Sequence, residues 1–284
     1  MKVAVLGKGG QLASEFEILK KNNNDWMFYS INEIDITNFK LVTNFFKLNK
    51  FDLIINCAAF TNVENAEINY QLADKVNNIG VQNILYICKF NNTKLIHYST
   101  DYVFDGDSSV PYIENDITNP INLYGKSKLD GENAIIKSNV KSIIIRTSWV
   151  YSTFGNNFVK TMLNFSQKEK LNVVHDQIGS PTSAEDLAIV SLSIIENNDY
   201  QWKIGDIFHF SNEGKCSWFE FAEEIFKIDK SEIKLIKTNS KNYKFLAKRP
   251  KNSQLNTNKI SKKFNIRVKH WKQSLERVLN NINN

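Results

Sequence analysis

A phenol and an ammonium group stand four residues apart, at Tyr124 and Lys128. On a helix this spacing brings two side chains to one face, one turn apart. A tyrosine normally ionises near pH ~10, and a neighbouring cation lowers that pKa toward the range in which a phenol can transfer a proton. The pair therefore predicts an acid–base site, although the same spacing is also typical of a solvated helix face.

Two glycines, Gly125 and Gly131, belong to the same predicted helix. Each costs about 1 kcal/mol in a helix interior relative to alanine. Because a helix gains nothing from such residues, we expect another backbone or a ligand to approach this one closely.

A glycine-rich turn follows the first predicted strand and opens a helix, in the segment GKGGQLA at 7–13. In a dinucleotide site, Gly7 would make the tight turn, Gly10 would let the backbone approach the pyrophosphate, and Ala13 would allow close packing of the helix on the strand. The helix N-terminus would then offer amide groups to the phosphates. An ordinary glycine turn is the alternative, but the Tyr/Lys pair favours a nicotinamide-dependent enzyme.

The second predicted strand ends at Tyr29-Ser30-Ile31-Asn32, without the acid that would bind the ribose hydroxyls of NAD. The small hydroxyl of Ser30 leaves room for a 2′-phosphate. The sequence therefore slightly favours NADPH over NADH.

Two further strand ends are predicted to face the same crevice, because ligands bind beyond the carboxyl ends of parallel strands. The segment 56–60 (NCAAF) supplies small residues, among which Cys57 is interpreted as a buried filler rather than a nucleophile. The segment Ser99-Thr100-Asp101 supplies a hydroxyl that could polarise a substrate carbonyl. A helix cap is the alternative for Thr100.

Short β-branched runs alternate with longer helical ones, which predicts an α/β fold: a Rossmann-type doubly wound parallel sheet with a smaller C-terminal α/β substrate-binding lobe. The predicted strands are 2–6, 26–30, 52–56, 94–98 and 143–147, with 171–175 and 206–210 as further candidates, and the predicted helices are 11–21, 39–49, 70–91, 124–137, 184–197 and 217–227. We assign 1–147 and about 171–200 to an NAD(P)-binding domain, and about 148–170 and 201–284 to the lobe.

Composition narrows the class of protein. No run of 18 apolar residues exists, and the N-terminus lacks the features of a signal peptide, so we expect neither a membrane span nor secretion. Three scattered cysteines fit a reducing cytoplasm. Residues 227–272 hold fifteen lysine or arginine residues against two acidic ones. This basic stretch could attract an anionic substrate, although most of its lysines are better interpreted as an ordinary solvated surface. The absence of any nucleic-acid motif argues against a nucleic-acid partner.

With these pieces in place, the chain resembles the extended short-chain dehydrogenase/reductases and, more narrowly, the dTDP-4-dehydrorhamnose reductase family. The resemblance runs nearly end to end. Its most specific segments are HYSTDYVFDG at 97–106, YGKSKLDGE at 124–132, RTSWVY at 146–151, GNNF at 155–158, DQIGSPT at 176–182 and RPKNSQLNT at 249–257.

The resemblance implies NAD(P)H-dependent reduction of a 4-keto sugar attached to dTDP. It implies that Tyr124 protonates the C4 oxygen, that Lys128 lowers the pKa of Tyr124 and holds the nicotinamide ribose, and that Thr100 binds the reacting oxygen. Asp101 and Trp149 would position the sugar. Further substrate contacts are implied for Asn157 and Arg249, and cofactor contacts for Gly7, Gly9, Gly10, Gln11, Leu12, Ser30, Asp35, Ile36, Ala58, Ala59, Phe60, Tyr124 and Lys128.

Some members of the family bind Mg²⁺ at a dimer contact, for which Glu15 and Glu185 are weak candidates here. The resemblance thus leaves a homodimer and a metal open. Three positions depart from the usual pattern: Ala13, Cys57 and Ser30.

Several alternatives stay open. A nucleotide-sugar dehydratase would carry glutamate where this chain has Tyr102, and an epimerase would retain its NAD⁺ through turnover. Another 4-keto nucleotide sugar, or the opposite C4 stereochemistry, would suit the same residues. The non-catalytic regulatory subunit of methionine adenosyltransferase also resembles these reductases and can retain the Tyr/Lys pair.

Overall fold

The short β-branched runs form the strands of the molecule, which a computed structural model describes for residues 1–283. Numbered along the chain, the strands are β1 Val3–Leu6, β2 Trp26–Tyr29, β3 Leu53–Asn56, β4 Lys94–Thr100, β5 Ser142–Thr147, β6 Val150–Tyr151, β7 Lys170–Val174, β8 Ile178–Gly179, β9 Thr182–Ser183, β10 Asp206–His209, β11 Cys216–Ser217 and β12 Lys234–Thr238.

The helices connect and cover these strands. They are α1 Gln11–Leu19, α2 Phe39–Leu48, α3 Val63–Ile68, α4 Tyr70–Asp74, α5 Gly80–Asn91, α6 Leu123–Ile136, α7 Phe158–Asn164, α8 Ala184–Ile195, α9 Trp218–Asp229, α10 Asn258–Phe264 and α11 Trp271–Asn283. A π-helical turn, Lys75–Ile79, joins α4 to α5, so the single helix predicted at 70–91 is interrupted there.

Six parallel strands form the central sheet in the order β10-β5-β4-β3-β1-β2. Strands β1, β3 and β5 are buried along their whole length. Burial on both faces is what an all-parallel sheet covered by helices requires, and it explains why these strands read as continuous apolar runs. The predicted Rossmann-type fold is confirmed.

Alternate residues of each strand enter separate cores on the two faces of the sheet. Val3 and Val5 pack with α1 and α8 in one core, whereas Ala4 and Leu6 pack with α2 and α5 in the other. Packing on both faces fixes the positions of the strands relative to one another. The predicted site residues lie at the carboxyl ends of these strands.

Helix α6 lies unusually close to its neighbours. A Cβ atom on Gly125 would lie 2.1 Å from the carbonyl oxygen of Tyr102, and one on Gly131 would lie 2.2 Å from that of Asn77. These contacts confirm the expectation that another backbone approaches this helix. Asn122 is the N-cap of this helix, and its side chain accepts a hydrogen bond from the Gly125 amide at 2.7 Å.

A third core lies C-terminal in sequence and is built mainly by α9 and α11 with α7 and β7.

Two strands belong to the other part of the molecule than the one to which the sequence analysis assigned them. Strand β10, which we assigned to the lobe, pairs with β5 at the edge of the central sheet, and Phe208 enters the core beside that strand. Strand β7, which we assigned to the NAD(P)-binding domain, pairs with β12, and Val173 enters the third core. Both are short apolar runs, so only their partners distinguish them.

Within residues 1–283, no helix has both the length and the apolar character needed to cross a membrane.

The close approach of α6 predicts that Gly131→Ala destabilises the protein. In an unobstructed helix this change adds about 1 kcal/mol of stability. Here the new methyl group meets a backbone carbonyl, and we expect a loss on the order of 2 kcal/mol or more in the free energy of unfolding. Urea unfolding measures it. Asn133→Ala, at an exposed position of the same helix, is the control and should be neutral or stabilising; equal stability of both variants would contradict the prediction.

Candidate active site

A cavity of about 940 Å³ opens at the carboxyl ends of the central strands. It collects most of the predicted site residues into one place. Those that line it are Gly7, Gly9, Gly10, Gln11, Leu12, Asp35, Ile36, Ala58, Ala59, Phe60, Thr100, Asp101, Tyr124, Lys128, Trp149 and Arg249.

The glycine-rich turn forms one wall of this cavity. Gly7 has φ +94°, and a Cβ atom on it would lie 2.7 Å from the Ala58 amide nitrogen. Gly9 has φ +88° and faces open space. Gly10 is the N-cap of α1 but supplies no side chain, so the first-turn amides of that helix are available to an anion. This cradle fits the diphosphate of a dinucleotide.

Lys128 reaches from α6 to the floor of the cavity. Its ammonium donates to the carbonyl oxygen of Tyr98 at 2.7 Å, and its Nζ lies 3.4 Å from Nε2 of His97. Burial disfavours the charged form and lowers the pKa of Lys128 to about 8, while the carboxylate of Glu132 opposes this change.

Tyr124 lines the same cavity, but its electrostatic environment differs from the one we expected. Burial raises the pKa of Tyr124 to about 12, and the hydrogen bond with Thr100 is what opposes the change. The expected lowering by Lys128 is not seen, because the ammonium is turned to the Tyr98 carbonyl. Tyr124 is therefore a protonated phenol at neutral pH, which suits a proton donor.

Thr100 and Asp101 lie beside Tyr124 at the end of β4. The Thr100 hydroxyl donates to Oδ1 of Asp101 at 3.0 Å and accepts from the Tyr102 amide at 3.2 Å, so the cap predicted as the alternative is present as well. Burial raises the pKa of Asp101 to about 7, against the hydroxyls of Ser253 and Thr100. At neutral pH, Asp101 is therefore present in comparable amounts as the protonated acid and as the carboxylate.

Several buried polar atoms at the cavity have no partner within residues 1–283. They are the hydroxyls of Ser99 and Thr147, Oδ2 of Asp101 and Nε of Arg249. Buried polar groups are nearly always paired, so unpaired ones at a cavity wall are suited to a polar ligand. The sequence predicted that the segment holding Ser99 faces the crevice but did not single Ser99 out as a site residue. It missed Thr147, although the position of Thr147 at the end of a predicted strand was an available signal.

The indole of Trp149 is stacked on that of Trp218, with ring centroids 3.5 Å apart and planes 7° apart. Both rings line the cavity. Trp149 has φ +48°, and a Cβ atom on Gly179 would lie 2.5 Å from its ring. The sequence predicted Trp149 but not Trp218, because only the fold brings α9 to this position.

Arg249 approaches the cavity from the basic C-terminal region. Its Nη2 donates to Oε1 of Glu64 at 3.0 Å, and its guanidinium lies over the ring of Phe245 at 4.5 Å. A second cavity of about 570 Å³ shares Arg249 and is also lined by Lys241, Lys248 and Lys251. Positive charge is therefore concentrated on this side of the site.

Two predicted site residues do not line the cavity. The Ser30 hydroxyl donates to Oε2 of Glu33 at 2.8 Å, so the space we assigned to a 2′-phosphate is bordered by a carboxylate. Asn157 caps α7 and donates to Oε1 of Gln11 at 3.0 Å. It supports a cavity residue without lining the cavity.

Cys57 lines the cavity as a thiol. Burial raises its pKa well above the usual value, and Lys128 opposes this only in part. A neutral thiol agrees with the interpretation of Cys57 as a filler.

The two magnesium candidates lie apart from the cavity. Glu15 accepts a hydrogen bond from the Ser152 hydroxyl at 2.6 Å, and Glu185 pairs with Arg277 at 2.8 Å. No group of three or more His, Cys, Asp or Glu residues is placed to hold a metal ion in the part of the chain that the structure describes. Magnesium binding is therefore not supported.

Comparison with known proteins gives a family for this geometry. The family model described as RmlD substrate binding domain matches residues 1–284. The chain belongs to this family. A family relative, the dTDP-4-dehydrorhamnose reductase of Sinorhizobium fredii, is 37% identical over 98% of this chain and 97% of its own length. The predicted resemblance is confirmed.

Solved structures of similar proteins agree. A dTDP-4-dehydrorhamnose reductase from Clostridium acetobutylicum has a TM-score of 0.94 and 39% identity, with both chains fully covered. The dTDP-4-dehydrorhamnose reductase of Bacillus anthracis, solved in complex with NADP, has a TM-score of 0.93 and 36% identity over 99% of this chain and 100% of that one.

The buried carboxyl of Asp101 predicts a pH-dependent stability. Its folded-state pKa, about 7, exceeds that of an unfolded aspartate, ~3.9. The folded state is therefore favoured most below pH ~4, and this contribution is lost as the pH rises through 7. Asp101→Asn should reduce the fall in unfolding free energy between pH 5 and pH 8 by about 1–3 kcal/mol.

Denaturant unfolding at the two pH values measures this effect. Asp107→Asn, which removes an exposed carboxylate from the following loop, is the matched control and should leave the pH dependence as it is. A fall that is the same in Asp101→Asn and in the wild type would show that Asp101 does not titrate in this range.

Proposed function

We propose that this chain catalyses the NAD(P)H-dependent reduction of the C4 keto group of dTDP-4-dehydro-6-deoxy-L-mannose to give dTDP-L-rhamnose, for cell-surface polysaccharide synthesis. The observation that carries the proposal is the convergence of Tyr124, Thr100 and Lys128 beside a glycine cradle, in a chain that belongs to the RmlD family. The relative named dTDP-4-dehydrorhamnose reductase in Sinorhizobium fredii aligns with this chain over 97% of its own length.

The cofactor would lie along the cavity wall that runs from the glycine-rich turn to Lys128. The first-turn amides of α1 would hold the diphosphate, Asp35 and Ile36 would border the adenine, and 58–60 would border the rest of the molecule. When bound, NAD(P)H supplies the hydride that reduces the carbonyl carbon. The Lys128 ammonium would hold the nicotinamide ribose.

The proton for the C4 oxygen would come from Tyr124. Its phenol is protonated at neutral pH and lies beside Thr100. A ketone oxygen placed between the two hydroxyls would receive a hydrogen bond from Tyr124, and one from Thr100 when that hydroxyl turns from Asp101. A phenol with a pKa near 12 releases its proton only as the oxygen gains negative charge. We therefore expect the proton to move in the transition state, when negative charge develops on the C4 oxygen.

The nucleotide and sugar would be divided between two regions. Arg249 and the lysines of the second cavity offer positive charge to the diphosphate. The Trp149–Trp218 stack offers a flat apolar wall to the sugar. The central sheet would thus hold the cofactor and the C-terminal lobe the substrate. A cytoplasmic location and a homodimer stay predictions.

The test is the oxidation of NADPH, followed by its absorbance, on addition of dTDP-4-dehydro-6-deoxy-L-mannose, with NMR identification of the product. Formation of dTDP-L-rhamnose supports the proposal. A C4-epimeric product would keep the reaction and change the stereochemistry. Cofactor binding without turnover, together with tight binding to a methionine adenosyltransferase, would favour the regulatory-subunit alternative.

Replacing the proposed proton donor should affect turnover far more than cofactor binding. Tyr124→Phe removes the phenolic hydroxyl but keeps the ring, and we expect kcat to fall about 10²–10⁴-fold with little change in the Kd of NADPH. Tyr102→Phe is the matched control, because its ring packs edge-on against Tyr124 at 5.9 Å and the change leaves the backbone hydrogen bond from Tyr102 to Thr100 in place. Near-normal turnover in Tyr124→Phe would rule out its role as the acid.

Glu33 should set the choice between NADPH and NADH. Hydrogen bonds from the backbone and hydroxyl of Ser30 lower the pKa of Glu33. In the proposed cofactor pose, this carboxylate would lie beside the 2′-phosphate of NADPH. Glu33→Gln should strengthen binding of NADPH relative to NADH by about threefold to tenfold.

Binding of the two cofactors, followed by nicotinamide fluorescence, measures this ratio independently of activity. Asp25→Asn removes an exposed carboxylate at the opposite end of β2 and serves as the control. An unchanged ratio in Glu33→Gln would show that Glu33 does not face the ribose.

A further inference from the structure

His97 is a buried titratable side chain to which the proposed reaction assigns no role. It lies on β4 opposite its register partner Asn56 on β3, and it is 1% exposed. Its two ring nitrogens meet different neighbours. Nδ1 lies 3.1 Å from Nδ2 of Asn56, and Nε2 lies 3.4 Å from Nζ of Lys128.

Asn56 determines which nitrogen of His97 carries the proton. The Ala58 amide donates to Oδ1 of Asn56 at 3.2 Å, which fixes the orientation of the amide and turns Nδ2 toward His97. An amide nitrogen only donates, so Nδ1 of His97 must accept. Burial and the charge of Lys128 lower the pKa of His97 well below its usual value, so the ring is neutral. Its single proton is therefore on Nε2.

This tautomer makes the contact between His97 and Lys128 depend on the charge of Lys128. An ammonium has only donors, so with a charged Lys128 the Nε2–H group faces another N–H group. A neutral amine has a lone pair that can accept the Nε2–H. The contact therefore favours the amine over the ammonium, and the Tyr98 carbonyl supplies the opposing preference.

The other groups around Lys128 do not cancel this effect. On its own helix, the carboxylate of Glu132 is engaged by Arg146 at 2.7 Å. From the end of β3, burial keeps Cys57 a neutral thiol. From β4, the Tyr98 phenol donates to Ser191 and has a raised pKa. Tyr124, one turn away on α6, is likewise a neutral phenol.

We propose that Asn56 and His97 are positioning residues that favour the neutral amine of Lys128, so that Lys128 exchanges its proton during the proposed reduction. This rests on the proposed function. As the C4 oxygen forms its bond to the proton of Tyr124, the phenolic O–H bond breaks. The phenolate takes up a proton from a bridging water, and that water takes one from the Lys128 ammonium, which is itself turned to the Tyr98 carbonyl. The resulting amine accepts the hydrogen bond from His97 and regains a proton from water.

The first test is made on the unmodified protein. The ¹⁵N shifts of the imidazole nitrogens of His97, assigned with His97→Gln, report the tautomer directly. A proton on Nε2 supports the proposal, and a proton on Nδ1 overturns it. This measurement needs neither a variant that affects folding in the critical sample nor any enzymatic activity.

The second test changes the tautomer. In Asn56→Asp the carboxylate accepts from Nδ1–H, which leaves Nε2 to accept from the Lys128 ammonium. Asn56→Leu removes the donor of Asn56 without adding charge. If the tautomer is the cause, both variants should raise the pKa of Lys128 from about 8 to about 9 or higher, measured from its ¹³Cε shift and assigned with Lys128→Arg. A rise in the pKa of Lys128 in Asn56→Asp but not in Asn56→Leu would show that the added negative charge is the cause. That result would overturn the proposal.

The alkaline limb of the pH profile of kcat/KM should move with the pKa of Lys128, so that at pH 9 the Asn56→Asp variant retains about fivefold to tenfold more of its maximal activity than the wild type. Thr93→Val is the control. It removes a buried hydrogen bond to the Phe51 carbonyl at the start of β4, and should leave the tautomer and the pKa of Lys128 as they are. If the tautomer and the pKa of Lys128 change as expected but the protein shows no turnover, the role of Asn56 and His97 in favouring the amine is supported. The proposed reduction is then rejected.

Discussion

Lys128 delivers its ammonium group to the carbonyl oxygen of Tyr98, 2.7 Å away, in a position where the side chain is almost fully buried. A buried ammonium is costly unless polar groups surround it, so its helix must be docked close enough for the nitrogen to reach that oxygen. Gly125 and Gly131 permit this approach, because side chains there would collide with the backbone of Tyr102 and Asn77. Lys128 can therefore reach the Tyr98 carbonyl only because the two glycines let its helix dock this closely.

The same burial determines the protonation of the whole site. It raises the pKa of Tyr124 to about 12 and that of Asp101 to about 7, and it lowers that of Lys128 to about 8. Each change disfavours the charged form. The site thus presents a phenol and hydroxyls as proton donors, and negative charge that develops on a ligand has few fixed anions nearby to oppose it. These donors suit a reduction that creates an oxyanion, because they are placed to hydrogen-bond the charge as it develops.

The sequence predicted those parts of the fold and site that depend on local order. The central strands, the glycine turn and Tyr124 with Lys128 follow from short patterns in which periodicity and position carry the information. The remaining features depend on pairings across long distances in the chain. Trp218 meets Trp149, and β10 joins the central sheet beside β5, only because the folded chain brings these elements together. The direction of the pKa change in Tyr124 was wrong for the same reason, since burial is set by packing and not by spacing.

The Asn157–Gln11 hydrogen bond explains how the glycine turn and the C-terminal part of the site are held in register. Asn157 caps α7 and also donates to the side chain of Gln11, the first residue of α1. Gln11 lines the cavity, so a shift of α7 would move a wall of the proposed cofactor site. On the other side, Trp149 has a left-handed backbone, and its ring fills the space that the missing side chain of Gly179 leaves. A cofactor held by the turn and a sugar held by the indole would therefore meet surfaces whose separation is fixed by these two contacts.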